Sequence, residues 1–67
     1  MTLKQKLNEF LSYEEEWREA EDFTDRCRIG YIMEKKAIEI YRLCNKEKPE
    51  KFIRGEDLLK LVKNKKN

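Results

Sequence analysis

The 67-residue chain has no histidine, one proline, one serine, two glycines and two cysteines. Each scarcity excludes a chemistry. Without histidine there is no side chain of the kind most often used as general base, as metal ligand or as partner of a catalytic serine or cysteine. Two cysteines with no histidine do not complete a four-ligand zinc site. Gly30 and Gly55 stand alone, so no glycine-rich phosphate loop exists. The acidic run lacks the ligand spacing and central glycine of a calcium-binding loop. The longest uninterrupted apolar runs are three residues, so no membrane-spanning helix is expected, and the N-terminus lacks the apolar core of a secretory signal. On one continuous helix, Cys27 and Cys44 would lie roughly 25 Å apart, far beyond the reach of a disulfide. Free thiols fit a reducing, cytoplasmic setting. Carboxylate pairs such as Glu15–Glu19 and Glu21–Asp25 have the spacing to share a cation, but a solvated helix face is the simpler reading. No enzyme, cofactor or metal is expected.

What remains is a helix-forming composition that is 45% charged and 39% hydrophobic. A domain this small buries only about 60% of its unfolded surface, so its stability is marginal without further support. Thr2 is a suitable N-cap, and Leu3, Leu7, Phe10 and Leu11 share one helical face. Ser12-Tyr-Glu-Glu15 reads as a capping box that starts a new helix at Tyr13; the alternative is that the first helix simply continues. No strong breaker then occurs before Asn45, although Thr24 and Gly30 are places for a break or kink. The spacing predicts a long central helix over residues 13–44. Tyr13, Trp17, Ala20, Phe23, Cys27, Gly30, Tyr31, Ala37, Ile38 and Tyr41 fall on one broad face of it. Residues 45–49 form a loop. Pro49 suits the start of a short helical turn carrying Phe52 and Ile53. Gly55 ends that turn or caps a last helix, whose first turn holds Glu56 and Asp57. The expected architecture is all-α: a helical hairpin or three-helix domain over residues 1–63, with a frayed basic tail at 64–67.

The charge is segregated. Between Glu9 and Asp25 there are eight acidic residues against Arg18 alone, whereas residues 46–67 hold eight basic residues against four acidic ones. Such segregation bears on partners, or on the chain folding back on itself. On the long helix, Glu14, Glu15, Glu19, Glu21, Asp22 and Asp25 lie roughly opposite Tyr13 and Trp17. The carboxylates suit a partner with a basic surface, and a row of them imitates nucleic-acid phosphates. Tyr13 and Trp17 are candidate anchors, because such residues dominate protein interfaces. Lys51, Arg54, Lys60, Lys63, Lys65 and Lys66 suit non-specific phosphate contact, which gives a DNA- or RNA-binding alternative. Cys27, Gly30 and Ala37 form a small-residue seam for close approach of a helix, from this chain or from a second copy, so a homodimer is expected.

The Lys-, Ile- and Asn-rich, histidine-free composition resembles that of small accessory proteins of phages and other mobile elements in low-GC bacteria. No motif carries that resemblance and no residue role follows from it. The expected function is non-enzymatic: binding and inhibiting a host or cognate protein through the acidic helix and the aromatic residues.

Overall fold

Thr2 opens the first helix. Its hydroxyl accepts from the Gln5 amide at 3.2 Å, and the Gln5 side chain accepts from the Thr2 amide at 2.9 Å, a reciprocal cap. A computed structural model describes the backbone of residues 2–65 and the side chains of residues 2–63. Within it the chain forms α1 (Leu3–Glu19), α2 (Phe23–Leu43) and α3 (Gly55–Lys65).

The expected restart at Tyr13 does not occur: α1 runs through Ser12, and the chain turns instead at residues 20–22. The central helix therefore begins at Phe23, not Tyr13. Ala20 and Asp22 are both extended. Two forces place the turn there. The carboxylates of Glu16 and Glu19 crowd the negative end of α1, whereas Asp22 and Asp25 sit at the positive end of α2. A straight helix would also leave the apolar faces on either side of residue 20 without a partner; folding back buries them against each other. The two arms are antiparallel in a single register. Lys6 meets Glu39 at 3.0 Å, and Glu9 meets Lys36 at 3.1 Å, three residues on along one arm and three back along the other. These pairs are partly exposed and fix register more than they stabilise.

Asn45 stops α2 in the left-handed conformation, φ 57°. Its amide donates to the Arg42 carbonyl and the Lys46 amide to that of Tyr41, which satisfies the helix end in a Schellman motif. The helical turn expected after Pro49 is not formed. Successive side chains there serve different surfaces. Ile53 is buried in the core, while Phe52 lies against Trp17 with ring centroids 5.2 Å apart. An extended segment sends neighbouring residues apart in a way that a helix does not. Lys48 donates to the Pro49 carbonyl at 2.9 Å.

The core is Leu7 and Phe10 from α1, Met33, Ala37, Ile40 and Tyr41 from α2, Ile53 from the connection and Leu58 from α3. It occupies one half of the hairpin only. No residue between 11 and 32 is buried. An 11-residue helix rises about 16 Å and a 21-residue one about 31 Å, so α3 is too short to cover both halves.

The start of α3 is tied to the middle of α1 by Glu14. Its carboxylate accepts from the Arg54 guanidinium at 2.8 Å and from the Gly55 amide at 3.1 Å. Asp57 accepts from the Arg54 amide at 3.0 Å. Partial burial pushes the Glu14 carboxyl up, but the bond from Arg54, the Gly55 amide and the charges of Arg54 and Arg18 outweigh it. Glu14 therefore titrates below its ordinary value. The Arg54 amide holds Asp57 low as well. A carboxylate lowered in the folded state adds stability that is present above its ordinary pKa and lost as pH falls through the folded value. Melting temperature is therefore expected to fall as pH drops below about 5. Glu14→Gln should flatten that slope in a thermal melt series; an unchanged slope would show that the α1–α3 tie is not the acid-sensitive element.

The sequence boundary expected at residue 64 falls inside α3. Lys66 and Asn67 lie outside the described residues.

Candidate functional site: two grooves beside the hairpin turn

The half of the hairpin that α3 leaves open has a groove on each side of the α1–α2 contact. Helical spacing builds both. On α2, positions 25, 28, 29 and 32 point to one side and positions 23, 27, 30, 31 and 34 to the other.

The first groove, about 500 Å³, has Tyr13 from α1, Ala20 from the turn and Ile29 and Ile32 from α2 as its apolar lining. Glu16, Glu19, Asp25 and Arg28 complete it. Arg28 is bound to Asp25 at 2.7 Å, so its charge is spent locally. Glu16 and Glu19 are exposed and make no ion pair among the described residues. The result is an apolar floor with a net negative rim.

The second groove, about 390 Å³, is lined by Trp17, Phe23, Arg26, Cys27, Gly30, Tyr31, Glu34 and Phe52. Phe23 is 79% exposed and Tyr31 64%, unusual for rings of that size gathered in one place. The Arg26 guanidinium lies 4.2 Å and that of Arg54 4.9 Å from the Trp17 ring, within cation–π range.

The expected site residues are thus divided. Glu14 faces inward and holds α3. Glu15, Glu21 and Asp22 are exposed outside both grooves. Only Glu19 and Asp25 of the expected acidic set border the first groove. Tyr13 and Trp17, four residues apart on α1, flank its contact with α2 and so line different grooves. Of the small-residue seam, Ala37 is wholly buried in the monomer core and Cys27 is exposed. A Cβ on Gly30 would meet the rings of Phe52 and Trp17 at 3.6 Å, an ordinary van der Waals contact, so alanine fits there. Of the basic set, Arg54 is bound to Glu14, and Lys51 to Asp57 at 3.2 Å. Lys60 and Lys63 are exposed. Lys65 closes α3, and Lys66 is outside the described residues.

Of the first groove, Glu16, Ala20, Arg28, Ile29 and Ile32 are not among the expected site residues. Their signal was present: 13, 16 and 20 on one arm and 25, 28, 29 and 32 on the other are single helix faces. Finding it required knowing where the chain turns.

Among the described residues, no helix is long and apolar enough to cross a membrane, and no cluster of three or more Cys, Asp or Glu side chains is placed to hold a metal ion. No known protein family, curated protein or solved structure matches this chain.

Proposed function

We propose that this protein is a non-enzymatic docking module that binds a basic amphipathic helix of another protein and, by covering it, blocks that helix's other contacts. The observation that supports this reading is the first groove: an apolar floor of Tyr13, Ala20, Ile29 and Ile32 beside the uncommitted carboxylates of Glu16 and Glu19. An amphipathic helix lays its apolar face into such a groove. Lysine and arginine along its flank then meet the carboxylates, which speeds encounter and rejects acidic competitors. Where the basic helix is one that ordinarily contacts nucleic-acid phosphates, the rim carboxylates occupy the phosphate positions. Nucleic-acid binding by the chain itself has less support, because Arg54 and Lys51 are already neutralised by Glu14 and Asp57.

Two designed helical peptides of equal hydrophobicity, one flanked by lysine and one by glutamate, test this reading. In a two-dimensional NMR titration the lysine peptide is expected to shift the amides of Ala20, Ile29 and Ile32. Glu16→Lys with Glu19→Lys should weaken it by about tenfold or more and leave helicity unchanged. Equal binding of the two peptides, or shifts confined to Lys60 and Lys63, would sink the proposal. A single protein captured from lysate despite nuclease and moderate salt, and lost with the same two substitutions, would identify the partner.

A further inference from the structure

The second groove is the open end of a seam that is closed further along the same helix. On α2, positions 23, 27, 30, 34, 37, 41 and 44 alternate in steps of four and three, the spacing of a helix that packs along its length against another. The last three, Ala37, Tyr41 and Cys44, are buried, in the half of the hairpin where Ile53 and Leu58 complete the core. The first four, Phe23, Cys27, Gly30 and Glu34, line the open groove. One packing surface is therefore closed at one end within the chain and, at the other, touched at Gly30 by the Phe52 and Trp17 rings but left exposed at Phe23, Cys27 and Glu34.

The charges on the open half show what fits it. Arg26 and Glu34 both line the groove, four residues either side of Gly30. Arg26 makes no ion pair among the described residues, and Glu34 has only a 3.7 Å contact with Lys48. Rotation by half a turn about Gly30 exchanges the two positions. The surface is thus complementary in charge to itself, as an isologous two-fold interface requires. Arg26–Gly30–Glu34 and Phe23–Cys27–Tyr31 are also neighbouring rows at four-residue spacing, and such rows interdigitate between crossing helices.

We propose that two copies of this chain pair antiparallel through the open half of the α2 seam, crossing near Gly30, so that Arg26 of each copy meets Glu34 of the other. The rings of Phe23, Tyr31 and Phe52 are covered in that pairing. The interface lies across the hairpin from the acidic groove and does not depend on what that groove binds.

Sedimentation equilibrium tests this directly. The wild-type chain is expected to rise from its monomer mass of 8.2 kDa towards twice that as concentration increases to about 1 mM. Arg26→Glu alone and Glu34→Arg alone each set like charges against each other at both ends of the interface, and each should weaken the dimer by about tenfold or more. Mixing the two variants restores both pairs, so the mixture should recover a dimer of one copy of each. Wild type that stays at monomer mass to about 1 mM overturns the proposal. So does a mixture no more dimeric than its components while both keep wild-type helicity by circular dichroism. A second measurement needs no variant. Cys44 is buried and Cys27 exposed, and the pairing puts the two Cys27 residues roughly 10–15 Å apart. A short bismaleimide should link them in wild type, and no linkage would count against the crossing at Gly30.

Discussion

Phe10→Ala is expected to abolish cooperative folding at room temperature. Phe10 is wholly enclosed, at 0% exposure, in the cluster that joins α1, α2, the connection and α3. Removing a buried phenylalanine ring costs about 3–5 kcal/mol, part lost transfer energy and part cavity. A single core in a chain this short supplies about that much in total. A urea titration followed by circular dichroism should show no native baseline for the variant. Phe23→Ala is the matched control. It removes the same ring from a position that is 79% exposed, and should leave the transition of the monomer within about 0.5 kcal/mol of wild type. If Phe10→Ala melts within a few degrees of wild type, the stability does not reside in that half of the hairpin.

Gly55→Ala has the next largest expected effect, and its cause is close approach, since neither glycine has positive φ. A Cβ at Gly55 would collide with the Glu14 carboxylate and come within 2.6 Å of Leu11 Cδ2. Both are ends of flexible side chains, so the collision itself is avoidable. What is lost is the arrangement Glu14 must abandon: its bonds from the Arg54 guanidinium and the Gly55 amide. Hydrogen bonds to a charged group contribute about 1.5–3 kcal/mol. The helix propensity of alanine, about 1 kcal/mol better than glycine in a helix interior, works the other way. The expected net loss is about 0.5–2 kcal/mol, read as a lower urea midpoint. A double-mutant cycle makes the cause checkable. In a Glu14→Ala background the carboxylate is gone and only the Leu11 contact remains, so the loss from Gly55→Ala should be much smaller than in the wild-type background. Additive losses would place the cost elsewhere.

The helix ends were legible where one local signal sufficed. Thr2, Asn45 and the acidic first turn of α3 each act within a few residues of themselves, and the structure uses all three. The turn at residues 20–22 was not legible, because Ala-Glu-Asp contains neither glycine nor proline. It is set by the need of two distant apolar faces to meet. That one shift explains why the face drawn through Tyr13, Trp17, Phe23 and Cys27 does not hold together: a wheel drawn through an unbroken helix carries one phase, and the turn between Glu19 and Phe23 resets it. The role of Glu14 was hidden for a related reason. It was counted among a run of surface carboxylates, and the groups that claim it, Arg54 and Gly55, stand 40 and 41 residues away. Pro49 misled in the opposite way, since a residue suited to start a helix was followed by two side chains needed on different surfaces. Of the small-residue seam the monomer itself buries Ala37 and leaves Cys27 exposed, a division that depends on where α3 lands.

The single tryptophan gives the molecule a built-in optical reporter. Trp17 belongs to α1, faces Arg26 and Gly30 of α2, and is touched by Phe52 and Arg54 of the connection to α3. Its indole is only partly shielded from water. Its emission therefore registers three separate events without a label: opening of the hairpin, release of the connection, and arrival of anything in the groove it lines. Unfolding should move the emission to longer wavelength as the indole meets water. Filling the groove should move it to shorter wavelength as water leaves. The direction of one spectral shift thus separates loss of structure from occupation of the surface.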